Sequence, residues 1–290
     1  MADLGFREFD CDHHYYEAED AFTRHMDPKM ARRAMQWAQV DGKQRLLVGG
    51  AINRFIPNPT FDPIARPGCL DDYFRGKVPV DDMAAAFGAL EPITEHPEYR
   101  DKQARLAQLD EQGIDGCFMF PTLGVGMESA LEHDLPAMQA AFSAFNRWLD
   151  DDWGYTTDDV IFAAPYITLS SVEHAVAELE FVLERGARIV NLRASAVTTA
   201  DGRRSPGHAM FDPFWARVNE AGITVAFHSG DAGYDFLFDH WGLDTEFKAF
   251  AYDPLKRVLC YSNIADTIGA IIVGGVLDRF PNVRLCTIES

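Results

Sequence analysis

The sequence predicts an α/β protein built around a parallel sheet, on three observations. Short apolar runs rich in β-branched and aromatic residues recur along the chain, stretches of helical periodicity separate them, and most of those stretches stop at a glycine. Alternation of strand and helix demands crossover connections, which give parallel neighbours with helices outside the sheet. With 290 residues, 47% of them hydrophobic, the chain can build one α/β barrel or two ordinary domains.

The first strand is read over Phe6 to His13, inside the run Phe9-Asp10-Cys11-Asp12-His13-His14-Tyr15-Tyr16-Glu17. Five more strands are read over Ile114 to Pro121, Val160 to Ile167, Arg188 to Leu192, Ile223 to Phe227 and Val283 to Ile288. Between them, Tyr99 to Gln112 carries Ala104, Leu106, Ala107 and Leu109 at helical spacing and ends at Gly113. Leu135 to Trp153 carries Met138, Ala141, Phe142, Phe145, Trp148 and Leu149 on one helical face. Ser171 to Arg185 ends at Gly186, Phe211 to Ala221 ends at Gly222, and Ile264 to Phe280 precedes Pro281. The sheet is either open and doubly wound or closed as a barrel. No glycine-rich phosphate fingerprint follows any of these strands, which argues against nucleotide binding. Residues 24–98 break the repeat with Gly49-Gly50, Asn58-Pro59 and Arg66-Pro67-Gly68, and read as a lid inserted after the first strand of a single domain over 1–290.

A net charge of -19 repels nucleic acid and anionic membrane, leaving a small molecule as the expected partner. An anionic substrate would then need a local cation, either a metal or an arginine. Cysteines at 11, 69, 117, 260 and 286 form no C-x-x-C pair and read as free thiols of a reducing compartment. Met1 to Glu8 does not read as a signal peptide, and the longest apolar run, Ile268 to Leu277, is too short to span a bilayer. A cytoplasmic protein is expected.

If the first strand alternates regularly, Asp10, Asp12 and His14 share one face at its C-terminal end. Carboxylate oxygen and imidazole nitrogen together suit a bound cation, whereas an exposed strand end would simply hydrate them. Other strand ends carry Asn191, Arg193 and Ser195, then His228, then Glu289. His228 reads as a metal ligand or as a strand-end imidazole bonded to a loop carbonyl. Glu289 reads as a ligand, a proton shuttle or a salt-bridge partner. Arg193, Arg54 and Arg66 could clamp a carboxylate or pair with surface acids. His25, His96, His133 and His174 read as solvated, and His208 and His240 as loop residues. Asp150 to Asp152 read as a solvated helix end, and Phe142, Phe145 and Trp148 as core or subunit interface. No G-x-S-x-G is present.

These residues, in order, resemble the amidohydrolase superfamily. The resemblance rests on Asp10-Cys11-Asp12-His13-His14, Glu111-Gln112-Gly113-Ile114-Asp115, Phe145-Asn146-Arg147-Trp148-Leu149, Phe227-His228-Ser229-Gly230, Gly274 to Leu285 and Ile288-Glu289-Ser290. Within the superfamily the chain is similar to the amidohydrolase 2 branch, which includes aminocarboxymuconate-semialdehyde and resorcylate-type decarboxylases. The resemblance implies a distorted (β/α)8 TIM-type barrel with one divalent metal at its mouth, Zn first and Mn or Mg as alternatives. It implies hydrolysis or non-oxidative decarboxylation of a small carboxylated or cyclic substrate. The ligand positions fall on Asp12, His14 and His228, where Asp12 replaces the histidine of many relatives and shifts the site toward oxygen ligation. Glu289 stands where the decarboxylase has a catalytic histidine, and Arg193 is the expected substrate-orienting cation. Relatives continue through two more strands, the eighth carrying an aspartate. The last two strands are therefore expected to be missing here and the site incomplete, with a non-catalytic barrel or inactive fragment as the rival reading. A homo-oligomer, as a dimer, is also expected.

Overall fold

Among the described residues, six strands run parallel and neighbour one another in the order in which the chain makes them. The structure, a computed structural model, describes residues 5–6, 8–69, 71, 75–77, 90–244, 253–260 and 262–289. Its elements begin with strand β1 (Phe9–Tyr15), helix α1 (Pro28–Ala34) and strands β2 (Met35–Val40), β3 (Lys43–Val48), β4 (Ala51–Ile52), β5 (Ile64–Ala65) and β6 (Leu90–Glu91). Helix α2 (Lys102–Gln112), β7 (Gly116–Pro121), α3 (Leu135–Asp152), β8 (Ile161–Ala163), α4 (Val172–Glu184) and β9 (Ile189–Arg193) follow. The last elements are the hairpin β10 (Val197–Thr199) and β11 (Gly202–Arg204), α5 (Asp212–Ala221), β12 (Thr224–His228), α6 (Asp235–His240), α7 (Pro254–Cys260), α8 (Ser262–Val273), α9 (Val276–Arg279) and β13 (Arg284–Ile288).

β7 pairs in parallel with β1 and β8, and β12 with β9 and β13. A parallel bridge between Tyr166 and Asn191 joins the two groups, with Asn191 N donating to Pro165 O at 2.8 Å and Ile167 N to Asn191 O at 2.9 Å. The third strand is shorter than Val160 to Ile167 because Pro165 has no N–H to extend the ladder. The inner strands β7, β8, β9 and β12 are buried on both faces, as parallel strands require, whereas β1 and β13 are partly exposed. Phe120, Ala164, Ile189, Ala226 and Ile288 form a cluster on one face. Met119, Val190, Leu192, Val225 and Phe227 pack into the larger core with Phe142, Phe145, Trp148, Leu179 and Trp215.

The sheet is strongly curved. In a flat sheet β1 and β12 would lie four strand spacings apart, about 19 Å, yet His14 and His228 bring their Nε2 atoms to 3.1 Å. The first five strands therefore curl around an interior into which both side chains project.

Helix ends follow the local chemistry. Asp101 caps α2 by accepting Ala104 N, Asp134 caps α3 through Ala137 N, and Ser171 caps α4 through His174 N. Gly113 and Gly222 close α2 and α5 in the left-handed conformation. The segment read as one helix over Ile264 to Phe280 is two helices, α8 and α9. Gly275 turns the chain at φ 70°, and a Cβ on Gly274 would lie 2.6 Å from Gly207 O, so the break admits only glycine at this contact.

Within the insertion read over 24–98, β2, β3 and β4 form an antiparallel sheet and β5 pairs with β6. Residues 70, 72–74 and 78–89 of that insertion lie outside the described residues, as do Met1 to Leu4, Arg7 and Ser290. Tyr16 stacks between Phe61 and Tyr99 at 4.4 and 4.5 Å, tying the end of β1 to the insertion. Among the described residues no helix is long and apolar enough to cross a membrane.

Candidate metal centre

β1 is bulged. Its register with β7 passes from Asp10 opposite Cys117 to His13 opposite Met119, so three residues advance where the partner advances two. This corrects the regular alternation expected for the first strand. His14 lies opposite Phe120 of the inner cluster, and Asp12 reaches the same interior from the bulge. Asp10 points the other way, with its Oδ2 2.7 Å from His13 Nδ1, so it does not share the face of Asp12 and His14. β12 needs no such device. Its register with β9 and β13 is unbroken, and alternation alone carries His228 inward beside Ala226.

Asp12 Oδ1, His14 Nε2 and His228 Nε2 form a nearly equilateral triangle with edges of 3.1, 3.2 and 3.3 Å. Metal–ligand bonds of about 2.0–2.2 Å space adjacent donor atoms about 2.8–3.1 Å apart on one face of an octahedron and about 3.3–3.6 Å on one face of a tetrahedron, and the triangle lies between the two. Tautomers agree with that fit. His228 Nδ1 donates to Ser229 O at 2.6 Å. Thr122 Oγ1 donates to Tyr15 O at 2.8 Å, which leaves its lone pair for His14 Nδ1 at 3.4 Å. Both Nε2 atoms then aim lone pairs at the triangle's centre, where the Asp12 carboxylate also points. An aspartate carboxyl is ionised at neutral pH. Three converging electron pairs without a proton to share repel one another unless a cation lies between them. The His228 side chain is 2% exposed, whereas those of His14 and Asp12 are 29% and 40% exposed, so the centre opens toward β1.

A small cleft adjoins His228 and is lined by Asn191, Arg193, Asp231 and Asn263 among others. Asn191 Oδ1 accepts His228 N–H at 3.2 Å, and Asn263 Nδ2 donates to Ala194 O at 2.9 Å. Burial pushes the Asp231 carboxyl up, against its bond from Gly233 N.

The Amidohydrolase family model matches residues 9–289. The chain belongs to the amidohydrolase family. Amidohydrolase map2389c from Mycobacterium avium subsp. paratuberculosis K-10 is 44% identical, with a TM-score of 0.90 over 99% of this chain and 72% of its own. A 5-carboxyvanillate decarboxylase from Novosphingobium aromaticivorans DSM 12444, complexed with manganese and 4-hydroxy-3-methoxy-5-nitrobenzoic acid, is 15% identical. Its TM-score is 0.53 over 99% of this chain and 66% of its own. A 2,6-dihydroxybenzoate decarboxylase from Rhizobium is 16% identical, with a TM-score of 0.49 over 78% of this chain and 64% of its own. No curated protein matches the sequence.

In this amidohydrolase the other expected site residues lie apart from the triangle. Arg193 lines the cleft with one nitrogen of its guanidinium committed: Nη2 lies 2.6 Å from Glu132 Oε1 and donates to Ala232 O at 2.9 Å and Ser195 Oγ at 3.3 Å, while the buried Nε has no hydrogen-bond partner among the described residues. Burial raises the Glu132 carboxyl, and Arg193 overrides this to hold it below the ordinary value. Glu289 follows β13 in a left-handed conformation, φ 57°, and is exposed. His96 is not simply solvated, being held between Glu91 at 2.7 Å and Glu98 at 3.2 Å. His174 is partly buried beside Ser143. Asp150, Asp151 and Asp152 pair with Arg185, His25 and Arg24. Cys11 is exposed and Cys69 and Cys117 are buried, all three free.

Glu17 and Glu128 are among the buried acids that escaped the sequence reading. Glu17, 1% exposed, accepts N–H bonds from Leu123 and Gly124, and burial pushes its carboxyl up to about 7. Its signal was a carboxylate directly after Tyr15-Tyr16. Glu128, pushed up by burial, accepts from Thr168 Oγ1 at 2.9 Å near Arg193. Nothing in its own stretch of sequence marked it.

Proposed function

We propose that this amidohydrolase is a divalent-metal enzyme that hydrolyses or non-oxidatively decarboxylates a small carboxylated or cyclic substrate, its six parallel strands forming part of a (β/α)8 barrel. The observation that carries the reading is the triangle of Asp12, His14 and His228, whose spacing and tautomers fit one cation. Two imidazoles and one carboxylate accept Zn or Mn, and when bound the ion supplies Lewis acidity toward a substrate oxygen or a water.

The chain's own residues do the rest. Thr122 Oγ1 and Ser229 O fix the two ring tautomers, so neither imidazole competes as a proton donor at Nε2. The Asp12 carboxylate is charged at neutral pH, as aspartates ordinarily are. Substrate approaches from the β1 side, where Asp12 is exposed and His14 half-buried. Arg193, in the cleft beside His228, acts as a positioning residue, fixing Glu132 and the Ala232 carbonyl. Glu289, one residue beyond the register partner of His228, moves the proton. In decarboxylation the carbon–carbon bond breaks, its electron pair stays on the substrate carbon, and that carbon takes the proton. In hydrolysis a water oxygen adds to the carbonyl and the leaving group takes the proton.

Elemental analysis after loading with Zn or Mn tests the reading, with one ion per chain expected. Release of CO₂ from aromatic or muconate-like acids then identifies a lyase, and turnover of amides, lactones or esters a hydrolase. A chain that takes up neither ion is no metal enzyme, and the non-catalytic alternative stands.

A further inference from the structure

We propose that Asp10, His13 and Arg105 form a brace that positions Asp12 and His14 and so sets the affinity of the metal centre, an inference that rests on the metal reading above. The bulge removes the ladder partners that would otherwise fix this part of β1. Side chains replace them. Asp10 Oδ1 accepts the Asp12 N–H at 2.9 Å, and Asp10 Oδ2 accepts His13 Nδ1–H at 2.7 Å. His13 Nε2 accepts Arg105 Nη1 at 2.6 Å, and Arg105 Nη2 donates to His14 O at 3.1 Å. The chain of bonds starts on the backbone of one ligand residue and ends on the backbone of the other.

Arg105 sits on α2, is 4% exposed, and among the described residues holds no carboxylate directly. Its other bonds go to Glu98 O at 2.7 Å and Gln108 Oε1 at 3.1 Å, and its guanidinium lies 5.2 Å from the centre of the Tyr99 ring. Its charge is answered through the His13 imidazole by Asp10. Donors and acceptors alternate in one sense only along this path: carboxylate, Nδ1–H, bare Nε2, guanidinium. An amide at position 10 breaks it. Its nitrogen can meet His13 only if Nδ1 loses its proton to Nε2, and Nε2–H would then face the Arg105 donor. A lysine at 105 keeps the charge but has one nitrogen where the arginine reaches both His13 and His14 O. No brace group supplies a donor atom to the triangle, so the brace acts through the backbone direction of Asp12 and His14.

The test measures the dissociation constant for Zn or Mn by competition with a chelating indicator, alongside thermal denaturation of the metal-free protein, in the full chain. Outer-sphere partners of metal ligands are worth about 10–100-fold in affinity, and Asp10→Asn and Arg105→Lys are each expected to weaken binding by that factor. Glu178→Gln is the control, because Glu178 is buried between α3 and α4, bonded to Ser143, Asn146 and Arg147, with no link to β1. It is expected to lower the melting temperature and leave the dissociation constant within about threefold of wild type. The brace is refuted if Asp10→Asn and Arg105→Lys bind as wild type does, or if Glu178→Gln weakens binding equally. If wild type itself binds neither ion, the metal reading fails first; if wild type binds and the brace variants match it, only the brace fails.

Discussion

β12 and β1 deliver ligands to the same point by opposite means. β12 is a regular strand paired on both sides, and His228 falls inward by alternation, its backbone N–H further held by Asn191. β1 pairs with β7 alone among the described residues and reaches the centre through a bulge that depends on three side chains from outside the interior. A position set by ladder pairing is robust because many backbone bonds share it. A position set by a bulge is only as fixed as the groups that satisfy the bulge.

Four experiments sharpen or break that contrast. His228→Ala removes a donor, and its metal affinity should fall by more than the roughly 100-fold upper range of outer-sphere changes, read by indicator competition. An affinity close to wild type would show that Asp12 and His14 suffice and that β12 is incidental. Thr122→Val frees the His14 ring, and a loss of about tenfold in affinity is expected, with little change in melting temperature because Thr122 is only partly buried. Asn191→Ala tests the regular strand. It should cost about 1–3 kcal/mol of stability through its unsatisfied partners, measured by urea denaturation, yet leave metal affinity within about threefold. A large affinity loss would mean that β12 depends on side chains as much as β1 does.

The smallest effect concerns Glu17, whose carboxyl in the folded chain is raised by burial to about 7 from an ordinary 4.5. The folded state therefore holds this proton more tightly than the unfolded one. Stability from this group is complete below about pH 4.5 and is lost as pH rises through about 7. Melting temperature should fall by a few degrees between pH 5 and 8 in wild type and less in Glu17→Gln. Equal slopes in the two proteins would exclude Glu17 as the source.

Strands and ligands were readable in sequence for a common reason. Parallel strands buried on both faces are continuous apolar runs, and polar residues at their ends stand out against them, as His228 does after Val225-Ala226-Phe227. Gly113 and Gly222 marked helix ends because the left-handed turn favours glycine. The bulge was invisible, since Asp10, Asp12 and His14 keep the same period of two whether or not a residue is inserted between register points. Arg105 looks like any helix arginine until α2 is docked, and the Arg193–Glu132 pair joins segments 61 positions apart in the chain. Such pairings depend on the fold, which local periodicity does not encode.

The three-ring column of Phe61, Tyr16 and Tyr99 has a mechanical consequence. Tyr16 lies two residues after His14, and its ring is clamped on both faces, within 5° and 10° of parallel to its neighbours. A displacement of Phe61 in the insertion is thus transmitted through a stiff contact to the strand end that carries a ligand. Burial between those two rings also pushes the Tyr16 phenol up to about 12.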